Sequence, residues 1–146
     1  MVRSDEGEAF TDLLLETFRL NGRLLAAGDR LVADLGLTSA RWQVLGALAE
    51  EPRTVSGIAR AMGLTRQAVQ RVANELVAEG FLAWRDNPAH RRAKLVDPTE
   101  RGRTALAEIE RRQAVWADRV AQGLGSGRLA AAAGLLRDLR RRLEEE

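Results

Sequence analysis

The chain's 146 residues are 45% hydrophobic and carry a formal charge of +2 from 23 basic and 21 acidic side chains, enough apolar material for one ordinary core and too much for a largely disordered chain. With no cysteine and a single histidine, His90, it lacks disulfides, thiol redox chemistry and a soft or imidazole ligand cluster for zinc, so no metal or cofactor is expected. Charge breaks every apolar stretch well short of a membrane span, and Met1 to Phe10 do not resemble a signal peptide, so a cytoplasmic location away from membranes is expected.

The first predicted element is a long helix over residues 5–35. Phe10, Leu14, Phe18, Leu25 and Val32 form one apolar stripe, and Leu13, Leu20, Leu24, Leu31 and Leu35 form another about 90° around the wheel. Two stripes need two partners: the chain's own folded lobe and a second subunit. Gly22 and Gly28 each weaken the helix by about 1 kcal/mol relative to alanine, which predicts a kink in its middle.

Two short helices and a hairpin follow. In Thr54 to Met62, Thr54 caps and Val55, Ile58, Ala59 and Met62 fall on one face; Gly63 supplies the residue with positive φ that lets the chain turn at once. Thr65 caps the next helix, whose inner stripe is Val69, Val72, Ala73 and Leu76 and whose outer face is Arg66, Gln67, Gln70, Arg71 and Asn74, until Gly80 ends it. Arginine pairs bidentately with guanine O6 and N7 and glutamine with adenine N6 and N7, so that outer face suits a major groove. An ordinary solvated face mixes acids with bases; here the acids, Glu75 and Glu79, sit only toward the far end.

Two alternating runs, Leu82 to Asp86 and Arg92 to Val96, flank Asn87-Pro88-Ala89-His90-Arg91 and predict a β-hairpin. Its cations His90, Arg91, Arg92 and Lys94 are placed to reach a minor groove beside a helix seated in the major groove. The order of elements is that of a winged helix-turn-helix, which points to sequence-specific binding of double-stranded DNA.

Thr99 caps a further helix reaching to about Leu124, with Leu106, Ile109, Trp116, Val120 and Leu124 inward and Gln113 interrupting the stripe; Gly125-Ser126 breaks it. In the last helix Leu129, Ala132, Leu136, Leu139 and Leu143 alternate steps of three and four, a seam that wants a facing helix. Together the two chain ends predict a homodimer.

Charge is concentrated on the predicted reading head. From Arg53 to Lys94, eight arginines or lysines face three acids, whereas the remaining residues hold fifteen basic groups against eighteen acidic ones. Counterion release from phosphates needs such a local excess. The sequence pI near 10.2 overstates it, because with no tyrosine or cysteine and Lys94 the only lysine, little can lose a proton before arginine does. An enzyme is not expected: the one histidine lies in an arginine-rich turn without a nucleophile and acid around it, and Gly123, Gly125 and Gly127 follow no strand, so they form no phosphate-cradling loop. The alternative reading of the same elements is a degenerate winged-helix protein-protein adaptor without operator binding, its leucine seam the working surface.

From about Leu37 to Gly102 the chain resembles the multiple antibiotic resistance regulator (MarR) family of bacterial transcription factors. Leu64-Thr65-Arg66-Gln67-Ala68-Val69-Gln70-Arg71 is similar to the family's recognition helix, Glu79-Gly80-Phe81-Leu82 to its exit into the wing, Arg91 to Val96 to the return strand, and Thr99-Glu100-Arg101-Gly102 to the opening of the next helix. The family wing typically reads Asp-x-Arg; here His90 stands at the Asp position while Arg92 remains, and Pro98 replaces the leucine that usually precedes the threonine.

The resemblance implies a mainly α fold with a small β-wing, a single domain over residues 1–146: a winged helix-turn-helix lobe at 37–99 flanked by dimerisation helices at 5–35 and 100–146. It implies a homodimeric, ligand-responsive repressor on a pseudo-palindromic operator. Thr65, Arg66, Gln67, Gln70 and Arg71 would contact the major groove, and His90, Arg91, Arg92 and Lys94 the wing's groove. It further implies a small aromatic or phenolic effector bound where the dimerisation helices meet the lobe, with Phe10, Phe18, Met62 and Trp42 as walls and Arg41 as anion partner.

Overall fold

The computed structural model describes residues 1–146. Its helices are α1 (Asp5–Val32), α2 (Ser39–Gly46), α3 (Val55–Met62), α4 (Arg66–Ala78), α5 (Glu100–Ala121) and α6 (Ser126–Glu144), with a 3-10 turn at Ala33–Leu35. Three short strands, β1 (Arg53–Thr54), β2 (Leu82–Arg85) and β3 (Leu95–Pro98), form an antiparallel sheet in the order β1-β3-β2. The fold is therefore mainly α with a small wing, as expected.

The chain forms two units, Met1–Glu110 and Arg111–Glu146, and the division falls inside α5. The physical reason is that the first turns of α5 belong to the lobe's core: Gly102, Ala105 and Ile109 are buried, the last at 2% exposure. That core is continuous from Val32 through Val44, Leu45 and Leu48 to Ile58, Val69, Leu76, Leu82 and Val96. Stripes on α3 and α4 supply the interior contacts, as their spacing predicts.

The caps are those the sequence dictates. Thr54 accepts from the Gly57 amide at 3.0 Å and Thr65 from the Ala68 amide at 3.1 Å, while Gly63, at φ 66°, closes α3 with its amide on the Ala59 carbonyl. Close approach, not flexibility, explains two other glycines. A Cβ at Gly28 would lie 2.2 Å from Ser39 Oγ, which donates to the Leu25 carbonyl at 2.6 Å where α2 docks on α1. At Gly102 it would lie 2.2 Å from the Phe81 carbonyl. Thr99 closes that contact: its amide donates to the Phe81 carbonyl at 3.0 Å and its hydroxyl to the Gly80 carbonyl at 2.6 Å. The exit of α4 is thus clamped to the start of α5.

Three expectations change. Helix α1 runs without interruption through Gly22 and Gly28, and its stripes meet the chain's own core only near Val32; upstream, Phe18 is 66% and Leu20 54% exposed. Likewise the α5 stripe turns inward only at Leu106 and Ile109, with Val120 and Leu124 exposed. In the wing, Arg92, Ala93 and Lys94 are not in the return strand, which begins at Leu95 and pairs Trp84 with Val96 and Arg85 with Leu95. Asn87 holds the longer loop instead, its amide nitrogen donating to the Ala93 carbonyl at 2.9 Å and its oxygen accepting from the Ala89 amide at 3.1 Å. Strand β1, which crosses from Arg53 to Val96, is a two-residue element the sequence reading does not contain.

In the second unit, α6 buries no residue at all, and Leu129, Leu135, Leu136 and Leu143 are exposed. No helix of the chain is long and apolar enough to cross a membrane.

Candidate nucleic-acid interface

Helix α4 sorts its side chains as the period requires. Val69, Val72, Ala73 and Leu76 are buried, while Thr65, Arg66, Gln67, Gln70, Arg71 and Asn74 are exposed along one side. Gln70 Nε2 donates to Asn74 Oδ1 at 3.0 Å, a one-turn contact that fixes the amide and leaves the Gln70 oxygen outward.

Wing and helix face each other across an open cleft of about 850 Å³. Its lining brings Arg66, Gln67, Gln70 and Asn74 of α4 together with Arg92, Ala93 and Lys94 of the wing loop and Trp84 of β2. The opening of α3, Thr54 to Ser56, forms a third wall. Two predicted groups distant in sequence, Gln70 of one and Arg92 of the other being twenty-two positions apart, thus converge on one basic, concave surface. His90 and Arg91 are exposed beyond it at the loop tip, and Arg71 lies on the helix flank away from it. Sequence reasoning missed Ser56 and Trp84, because only the fold shows that the start of α3 and the middle of β2 border α4.

Arg92 has no acid paired with it; the wing's ion pairs are lower down, where Asp97 receives Arg85 at 2.6 Å and Arg103 at 3.4 Å. Asp97 is largely buried, at 13% side-chain exposure, and ties the hairpin base to α5. With His90 at the Asp position of the Asp-x-Arg pattern, Arg92 has no carboxylate beside it, while the hairpin is stiffened at its base.

The five residues expected around an effector are not brought together within one chain. Phe10 and Gly28 are eighteen residues apart on one helix, about 27 Å at 1.5 Å per residue, and Trp42 packs at the Gly28 end. Phe10, Phe18 and Met62 are exposed, and Trp42 packs against the core. Arg41 is not an unclaimed cation either: its Nη1 lies 2.5 Å from Glu79 Oε2 and 3.2 Å from the Gly36 carbonyl, and its Nε lies 3.5 Å from Glu75 Oε2. The resemblance names elements for all five but carries no distance between elements. What one chain does build is a hollow of about 640 Å³ against the start of α5, in which Leu35, Phe81 and Ala105 meet Glu100, Arg101, Thr104 and Glu108. Over it the Arg101 guanidinium stacks on the Phe81 ring, 4.2 Å from its centroid.

Comparison with known proteins agrees with this geometry. The model of the MarR family matches residues 35–93. An uncharacterized protein of Mycobacterium tuberculosis is 41% identical over 125 residues, 86% of this chain and 87% of its own length. Among solved structures, NMB1585, a MarR family regulator from Neisseria meningitidis, is 25% identical with a TM-score of 0.73, covering 92% of this chain and 93% of its own. CouR from Rhodococcus jostii RHA1, solved bound to p-coumaroyl-CoA, is 24% identical with a TM-score of 0.80, covering 88% of this chain and 91% of its own. The winged lobe, its basic cleft and these likenesses agree: the chain belongs to the MarR family of DNA-binding transcriptional regulators.

Proposed function

We propose that the chain is a ligand-responsive repressor that binds a pseudo-palindromic operator as a homodimer. The observation that carries this reading is the shared cleft of Arg66, Gln67 and Gln70 with Arg92 and Lys94. A helix presenting the first three to base edges in the major groove would set the other two against the neighbouring minor groove. Thr65 extends the helix contact, and His90 and Arg91 the wing contact, chiefly to phosphates, while Arg71 extends the helix contact on the flank away from the wing.

The exposed leucines of α6 and the exposed apolar stripes of α1 support pairing of two chains, since apolar faces of that extent are normally covered. Two symmetric heads read half-sites whose centres lie about 34 to 36 Å apart. The effector we propose is a small aromatic or phenolic molecule; CouR's p-coumaroyl-CoA complex supports the class, and the hollow in which Arg101 borders Phe81 and Leu35 supports a place for it. To release the operator it must bind one spacing of the heads more tightly than the other, because equal affinity shifts nothing.

Selection from a random duplex pool tests the reading. An inverted repeat should be enriched, and its affinity should fall steeply with added salt as counterions are released. A pool recovered without enrichment would favour the adaptor instead. Screening aromatic acids and phenols for release of the selected operator then tests the effector.

A further inference from the structure

The flank of α4 that faces away from the wing carries a second arrangement. One carboxylate, Glu75, is shared by two arginines: its Oε1 lies 3.3 Å from Arg71 Nη1, and its Oε2 lies 3.5 Å from Arg41 Nε. The two arginines differ in situation. Arg71 is 67% exposed on the outer side of α4, whereas Arg41 is 20% exposed, anchored on α2 and bound also to Glu79 and the Gly36 carbonyl.

We propose that Glu75 is a specificity-determining positioning residue, which orients the Arg71 guanidinium toward a guanine edge while Arg41 orients Glu75. This rests on the docking of α4 proposed above. An isolated exposed pair one helical turn apart contributes little and holds its arginine loosely. Here the carboxylate is held from behind by a third, half-buried group, so the orientation of Arg71 is set by the scaffold before DNA arrives. Bidentate recognition of guanine needs such preorganisation, since the planar fork must meet O6 and N7 together.

The arrangement also answers an electrostatic problem. Two acids at the end of a reading helix repel phosphates, and Arg41, paired with both, offsets part of their charge from the side that does not face the duplex. Glu75 therefore contributes selectivity at a cost in general affinity, so its removal should move the two in opposite directions. A residue that merely supported the helix would lower both.

The test compares base preferences of the full chain and its variants by duplex selection, with affinity for a random duplex measured alongside. Arg71→Ala should erase preference at one base pair of each half-site. Glu75→Gln should relax preference at that same base pair by about tenfold while holding or raising affinity for the random duplex. Arg41→Gln, which leaves the carboxylate in place but unheld, should relax the same position by a smaller factor and serves if Glu75→Gln does not fold. Preferences changed by Arg71→Ala and unmoved in whichever of the other two folds overturn this proposal alone. Preferences unmoved by Arg71→Ala itself overturn the docking of that flank and this proposal with it.

Discussion

The two ends of this molecule solve opposite problems. Around α3, α4 and the sheet, the inward stripes find their complement within the same chain, with Met62 at the end of α3 left exposed, and Val44, Ile58, Val69, Leu76 and Val96 reach exposures of 1% or less. Helix α6, with four exposed leucines, buries nothing, and most of α1 leaves its stripes open. A helix-forming pattern is therefore not evidence of a finished core. The reading lobe completes its core within one chain and leaves a polar outer face on α4; the terminal helices carry apolar faces that one chain leaves uncovered.

That contrast can be broken most severely in the lobe. Replacing Leu76 or Ile58 by alanine should destabilise the fold by about 2–5 kcal/mol, measured by urea unfolding, because transfer and cavity costs add in a core that cannot collapse. The same truncation at Leu136 should leave the stability of an isolated subunit within about 0.5 kcal/mol. Equal losses at both sites would contradict the division into a finished core and an open face.

Charging the open face should instead break assembly. Leu136→Glu combined with Leu143→Glu should shift the species seen by sedimentation from dimer to monomer. Affinity for a two-site operator should fall by about a hundredfold or more as the second contact stops being intramolecular. An unchanged dimer would place the subunit contact elsewhere.

Smaller effects sharpen the account of the lobe. Gln70→Ala should cost about 1–3 kcal/mol at one base position and relax preference there, with the fold intact. Arg92→Ala should weaken binding generally and alter preference at flanking A·T pairs, because the wing reads groove width more than base edges. Thr65→Ala should destabilise by about 1 kcal/mol, the value of the cap on the Ala68 amide, visible as an earlier urea midpoint.

How much of this was legible in the sequence follows from the range of the interactions involved. The α3-turn-α4 unit was, because caps at Thr54 and Thr65, the left-handed Gly63 and 3.6-residue stripes are all local signals. The wing was legible as a hairpin but not in its register. Alternation in Arg92-Ala93-Lys94-Leu95 imitates a strand, whereas the pairing is set by Val96, fully buried opposite Trp84, and by the side chain of Asn87. Arg41 was read as the partner of an effector's anion, and nothing local shows that α4 would bring Glu75 and Glu79 beside it. The stripes of α1 and α6 were visible, but a stripe does not name what covers it.

The central claim, that the outer face of α4 lies in the major groove with the wing beside it, is tested most directly by protection of guanine N7 from methylation, since that atom is reached only through the major groove. On a selected operator, the unaltered chain should protect two patches of guanine N7 centred about one helical turn apart. Replacing Arg66, Gln67, Gln70 and Arg71 by alanine should abolish both. Operator binding that leaves every N7 open to methylation would contradict the account.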